Sequence, residues 1–581
     1  MAMRILFFSP FSGVAPFIRA QTQVAKSLRE RGHTVMGIHC NGLYKDFCIT
    51  MSALGLKEAS TPSQKQAACR TCKRMREASK DLYLGTSENI DDAVLPGDSR
   101  IADSFLETVS PENWLNSNYD GLPVGRIASY EFLINHKKTN FTLTSAELDS
   151  YRIALRNTLM TQLAMARTLS RLRPECVVIW DTGYSVNGMV KALANRMGIS
   201  VYNLSFGFNL SRQLSTLVMG SETSISHLSH VKTVSWEKVK SQPLNSTQVR
   251  LVGEHFQALF KATNVFVYSA PRSDERIDIR GRFGVAKTQK LLVASLSSYD
   301  ERMASGAIGR ASDGSSALFA SQAAWCKALI QWVASRPKYF LVIRVHPREF
   351  PNKRESVKSA HAEELASTFE DLPANVTINW PTDKLSIYDL AEEADAFLSA
   401  WSSVGVEMSA LGLPVVIYAD DWRHYPTELN FVGNTEAEYF ARVEEAAATG
   451  WDFEKMRLTF RWLSLLFTQT AINLPQNEDI YKSWVQRGLR LLSRKTGWKA
   501  PEKLAERLYL NQSKLSSNAI LQVEDVLQNR KVSLADAAHK PVIRPASREE
   551  EEEAIRNEME RLFRGSSSRI ITYLRKHFAT N

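Results

Sequence analysis

Short unbroken apolar runs punctuate this chain, separated by longer stretches in which apolar residues recur every third or fourth position. Runs such as Arg4–Phe8, Thr34–Ile38, Glu175–Trp180 and Ser200–Leu204 are too short for helices and read as buried strands. Between them, Phe17–Arg31 and Tyr151–Leu172 carry helical periodicity, and Gly32-His33 ends the first of these. Residues 75–150 are mixed and polar and read as helical insertions. A second series follows from Asn264: Val265–Tyr268, Leu291–Ser295, Tyr339–Val345, Val376–Trp380, Ala396–Leu398 and Pro414–Tyr418. From about residue 434 the pattern is helical to the end.

Alternating strand and helix patterns predict an α/β fold with parallel sheets. The expected organisation is two Rossmann-like domains facing a cleft, residues 1–255 and 256–440, with the break near 240–262. A helical C-terminal region, residues 441–581, completes it. A length of 581 residues fits two or three domains.

In such sheets ligands bind beyond the carboxyl ends of strands. The stretch Ser399-Ala400-Trp401-Ser402-Ser403-Val404-Gly405 is such a loop, and its hydroxyls and glycine at a helix start suit a phosphate. A serine cap with nothing bound accounts for it equally well. The strand Tyr339–Val345 runs directly into His346-Pro347-Arg348, and Arg344 and Arg348 flank the histidine as anion contacts. Ser298, after the strand Leu291–Ser295, is a further contact for the same ligand. Together these loops make a nucleotide or sugar-phosphate site the leading expectation.

His346-Pro347 followed by Ser402-Ser403 resembles the HP and SS signatures of bacterial glycosyltransferases that use CMP-activated acidic sugars, the sialyltransferases and Kdo transferases of capsule and lipopolysaccharide synthesis. The wider segment through Gly405 and Glu407 resembles the phosphate loop of two-domain GT-B glycosyltransferases. This resemblance implies that His346 and the two serines hold the donor's cytidine and phosphate, that Glu407 binds the donor, and that Trp380–Ser386 flanks the base. It places Ser12 and Gly13, in the first loop, on the acceptor side.

Asp181-Thr182-Gly183 partly resembles the acidic-acidic-glycine signature of the sialyltransferases, with Thr182 where a second acid is usual. Asp181 is accordingly the expected catalytic carboxylate, Asn187 a substrate contact, and Glu131 a weaker alternative acid with no motif behind it. A plain helix-capping aspartate is the competing explanation.

Composition narrows the partners. The net charge of +10 comes from 72 cationic and 62 anionic residues without a long basic block, which speaks against nucleic acid. An anionic donor, an acidic polysaccharide or a membrane surface fits better. No run of 18 apolar residues predicts a transmembrane helix, and the first residues lack a signal-peptide cleavage pattern. Six cysteines suit a reducing cytoplasm, with a peripheral place at the inner membrane face open to the basic, apolar tail 549–578. Cys40, Cys48, Cys69 and Cys72 are a weak candidate set for structural zinc, and Asp420-Asp421 is too little to argue for magnesium.

The leading expectation is a glycosyltransferase moving a sugar from a nucleotide-sugar donor, CMP-linked by the resemblance, to a saccharide or glycolipid acceptor. A UDP-sugar transferase, a nucleotide-sugar epimerase and a non-catalytic scaffold of polysaccharide assembly are the alternatives.

Overall fold

The computed structural model describes residues 2–79, 87–222, 227–264, 266–310, 318–352, 357–418, 425–475, 489, 491–492, 500, 504–505, 514–540, 543–565 and 567–580. Six strands come first: β1 Arg4–Ser9, β2 Thr34–His39, β3 Ser87–Asn89, β4 Cys176–Trp180, β5 Ser200–Phe206 and β6 Thr216–Ser221. Six more follow: β7 Lys290–Ser295, β8 Tyr339–Arg344, β9 Val376–Asn379, β10 Ala396–Ser399, β11 Val415–Ile417 and β12 Phe431–Val432. A last strand, β13 Ala471–Asn473, lies far along the chain.

These strands form two sheets, ordered β13-β6-β5-β4-β1-β2-β3 and β12-β11-β10-β7-β8-β9. The second is parallel throughout. The first is parallel from β3 to β5, with β6 and β13 antiparallel at its edge. In each, the first strand sits centrally and the chain builds outward on one side before crossing to the other. The loops therefore diverge between β1 and β4, and again between β7 and β10, and a crevice opens at each reversal. This is the two-domain Rossmann-like α/β architecture.

Successive residues of the central strands feed opposite cores. Ile5 and Phe7 pack with helices Ala15–Glu30 and Ser517–Gln528. Leu6 and Phe8 pack with helices Val124–Asn135, Ser145–Leu172 and Ser185–Arg196. Likewise Leu291 and Val293 of β7 belong to one cluster and Leu292 and Ala294 to another. A strand covered on both faces has no polar position, which is why these runs are unbroken. Each large apolar side chain so buried contributes about 1.5–3 kcal/mol.

The long helix starts at Ser145, six residues before the periodicity becomes obvious. Thr144 Oγ1 accepts from Glu147 N at 3.2 Å while Glu147 reaches back to Thr144 N at 2.8 Å, a reciprocal cap.

Residues after 440 strap both halves together. Helix Phe453–Thr468 packs in the second half's core, and β13 then pairs with β6 of the first sheet. Helix Ser517–Gln528 covers the first half, and helices Arg548–Leu562 and Arg569–Thr580 return to the second. The tail's apolar stripe is thereby used internally: Ile570, Ile571 and Leu574 are buried. Glu551, within the glutamate run, is fully buried against Arg461, whose Nε donates to it at 2.7 Å. Among the described residues no helix is long and apolar enough to cross a membrane.

Candidate functional site

Beyond the carboxyl ends of β7, β8 and β10 lies a cavity of about 370 Å³. Arg344, His346, Pro347, Ser402, Ser403 and Glu407 all line it. The structure thus brings the two loops, more than fifty residues apart in sequence, to one space.

His346 leaves β8 and caps the turn Pro347–Glu349, its Nδ1 accepting from Arg348 N at 3.2 Å. That bond assigns the ring proton to Nε2. Burial, with the positive charges of Arg348, Arg344 and Lys137 adding to it, pushes the imidazole down to about 3. His346 is therefore a neutral hydrogen-bond donor rather than a cation.

Arg344 supplies the charge instead. Its guanidinium is pinned to Asn379 Oδ1, to Leu385 O at 2.8 Å and to Ser269 Oγ at 3.2 Å. Burial lowers it to about 10, so it remains cationic at neutral pH.

Arg348 does not join it. Its buried guanidinium donates to Asp300 Oδ2 at 2.8 Å and Ser298 Oγ at 3.1 Å, and also pairs with Glu301. A charge removed from water needs such partners, and here two carboxylates take it away from the cavity. Ser298 is buried in the same network, donating to Asp300 Oδ1 at 2.7 Å, and does not line the cavity. The anion-contact role expected of these two residues is corrected accordingly.

Ser403 precedes the seven-residue helix Val404–Ala410 and donates to Glu407 Oε1 at 2.7 Å. The Tyr388 hydroxyl donates to Glu407 Oε2, also at 2.7 Å. Burial raises the Glu407 carboxyl, opposed by these two donors. Gly405 has a packing reason: a Cβ there would sit 1.9 Å from Tyr425 Oη. Trp380 packs against Phe350 and Phe369 rather than lining the cavity; Ile387 and Tyr388, just beyond the expected segment, line it instead. Asp420 and Asp421 lie outside the described residues.

The inner end of the cavity was not legible in sequence. Phe208 and Leu210 follow β5, while Trp462, Leu466 and Phe467 arrive from helix Phe453–Thr468. No local pattern announces that a helix 60 residues downstream closes a strand-end pocket.

In the first half, Asp181 immediately follows β4 with φ +46, a left-handed conformation that aspartate tolerates better than most residues. Its Oδ1 accepts from Gly183 N at 3.0 Å and from Arg310 Nη1 of the second half at 3.3 Å. Arg310 Nη2 also donates to Thr182 Oγ1 at 2.7 Å. Asn187 is fully buried, its Nδ2 donating to Asp181 O at 3.2 Å and to Trp180 O. It holds the backbone under Asp181 and is not placed to touch substrate.

Glu131 accepts from Ser185 N and Ser185 Oγ at 2.9 Å, and burial raises its carboxyl to about 7. Ser12 is buried, donating to Ser9 O at 3.0 Å. Gly13 N donates to Cys72 Sγ at 3.1 Å, and a Cβ there would lie 2.6 Å from Thr50 Cγ2. Ser12 therefore packs beneath the surface, and half-buried Gly13 is placed by its contacts with Cys72 and Thr50 rather than by an acceptor contact.

The zinc expectation is also corrected. Cys40, Cys48, Cys69 and Cys72 are free thiols and are not gathered into a tetrahedral ligand set. Among the described residues no group of three or more His, Cys, Asp or Glu could hold a metal ion.

No family model and no curated protein matches the chain. Solved structures do. The UDP-GlcNAc 2-epimerase of Neisseria meningitidis bound to UDP-GlcNAc is 12% identical, with 80% of this chain and 97% of that one covered and a TM-score of 0.26. The calicheamicin glycosyltransferase CalG4 is 15% identical, with 80% and 94% covered and a TM-score of 0.24. The spinosyn rhamnosyltransferase SpnG complexed with thymidine diphosphate is 10% identical, with 80% and 96% covered and a TM-score of 0.25. At these values they bear on neither substrate nor chemistry, and the architecture stands on the strand pairing above.

Proposed function

We propose that this protein is a glycosyltransferase of the GT-B arrangement that takes a nucleotide-sugar donor in the second half and an acceptor from the first. One observation carries the reading: His346, Arg344, the Ser402-Ser403 turn and Glu407 share a single cavity at the topological reversal of the second sheet. The sequence resemblance favours a CMP-linked acidic sugar, with a surface polysaccharide or glycolipid as acceptor; the cysteine content favours the cytoplasm as compartment.

In this reading a leaving phosphate develops negative charge that fixed dipoles and charges can stabilise without reorganising. His346 Nε2–H is a neutral donor, Arg344 a pinned cation, and Ser402 a hydroxyl donor; Ser402 Oγ itself accepts from Val404 N at 3.3 Å. Glu407, held by Tyr388 and Ser403, offers a carboxyl group to hydroxyls of the donor. Asp181 acts on the acceptor hydroxyl as general base, with Asn187 positioning it.

The test is the melting temperature of the full chain with CMP, CDP, UDP, GDP and ADP, since a ligand of the native state raises it. Cytidine nucleotides alone stabilising the wild type, and stabilising His346→Ala less, is the expected result. Stabilisation by UDP alone moves the reading to a UDP-sugar enzyme, and stabilisation by none overturns it.

A further inference from the structure

A second cavity, about 540 Å³, lies behind Phe467, whose ring borders both spaces. Its walls come from the segment after β5, the start of helix Ser246–Phe260, strand β13 and the start of helix Ser517–Gln528. Asn473 of β13 pairs with Thr216, which lies beside the carboxyl end of β5, next to β4 and Asp181. The cavity thus belongs to the same edge of the first sheet as the expected base.

Its chemistry is distinctive. Amide and hydroxyl side chains dominate the wall, and among the described residues no carboxylate lines it. The two guanidiniums present are already compensated, Arg212 by Glu254 at 2.9 Å and Arg544 by Glu550. Among the described residues, three of the six amides lining it are partly spent: Asn209 Nδ2 donates to Leu251 O at 2.9 Å, Asn245 Nδ2 to Arg544 O at 3.1 Å, and Gln248 Nε2 to Ser464 Oγ at 3.1 Å, while Asn473 and Asn518 lie at the exposed rim. Gln522 differs. It is 4% exposed, borders the cavity, and its side-chain amide has no hydrogen-bond partner among the described residues.

Gln522 faces the open space with no bond to the rest of the chain among the described residues, so its amide is available to whatever displaces water there. A phosphate would call for uncompensated cations, and an acyl chain for apolar walls. A side-chain amide instead sets a donor beside an acceptor, the pattern that adjacent sugar hydroxyls complement. Phe467, Ile472 and Ala519 add an apolar strip for the C–H face of a ring.

We infer that this cavity binds a neutral saccharide and, resting on the first cavity as the donor site, that it holds the sugar portion of the acceptor. The probe is saturation-transfer-difference NMR of the full chain with lactose, maltotriose and triacetylchitotriose, for wild type and Gln522→Leu. CMP and UDP melting shifts are recorded on the same samples. At least one saccharide is expected to bind, about tenfold or more weakly in the variant, with any nucleotide shift unchanged. Binding of no saccharide, or equal binding by both proteins, overturns the inference. A saccharide bound without any nucleotide response leaves this cavity a saccharide site and removes the donor reading instead. If Gln522→Leu melts markedly lower, Asn473→Ala, at the exposed rim, replaces it: weaker saccharide binding is again expected, and equal binding again overturns the inference.

Discussion

Arg310 Nη1 donates to Asp181 Oδ1 at 3.3 Å, and that contact joins the two halves at the face where their sheets present their carboxyl edges. The guanidinium follows helix Tyr299–Ala307 of the second half, whereas the carboxylate belongs to the residue just after β4 of the first. The side chains are 31% and 32% exposed, so water screens them. A double-mutant cycle of Arg310→Gln and Asp181→Asn, read by urea unfolding, should give a coupling under about 1 kcal/mol. Several kcal/mol would mean that the pair is a structural clasp. Asp181→Asn should separately slow glycosyl transfer by about 10²–10⁴-fold without moving the unfolding midpoint much. Undiminished transfer would reject Asp181 as the base.

His346 should remain neutral, with its proton on Nε2, down to pH 5, because burial lowers it to about 3. Nitrogen-15 shifts of labelled histidine report tautomer and charge directly. A protonated ring at pH 6 would contradict the assignment. His346→Ala should weaken nucleotide binding by roughly tenfold, about one hydrogen bond's worth, while melting stays near wild type.

Glu131 ties stability to pH. Its carboxyl is raised from the usual 4.5 to about 7 by burial, so the folded chain holds this proton more tightly than the unfolded chain does. The resulting stabilisation is fully present below pH 4.5 and is lost as pH rises through about 7. Glu131→Gln keeps an acceptor for Ser185 and cannot ionise. Its melting temperature relative to wild type should climb between pH 4.5 and 7 and then level off. A flat difference across that range would show that Glu131 is not the group responsible.

Gly405 meets the Tyr425 ring so closely that Gly405→Ala forces a shift in one of them. The expected cost is about 1–3 kcal/mol in unfolding free energy, as for other overpacked sites, with weaker nucleotide binding as the cavity wall moves. Gly405→Ala behaving like wild type in both measurements would mean that the helix start yields freely.

Much of the architecture could be read directly because β1, β4, β7, β8 and β10 are covered on both faces, and continuous apolar runs report that condition. His346, Ser402 and Ser403 were legible as strand-end residues for the same reason. Arg348 was not: a guanidinium next to a histidine looks like an anion contact until Asp300 and Glu301, nearly fifty residues earlier, are seen to occupy it. Asn187 and Ser12 misled similarly, since a polar residue shortly after a strand end can face ligand or backbone with the same local pattern.

By itself the sequence determined the two doubly wound sheets, the strand ends and the residues offered there, because those depend on local periodicity and on which side chains avoid water. The tertiary structure alone decided that residues 346 and 402–407 share one cavity, that helix Phe453–Thr468 closes its inner end, and that Arg310 reaches Asp181. Such choices depend on which distant charges and surfaces satisfy one another once the chain has folded, and no local window of residues contains both partners.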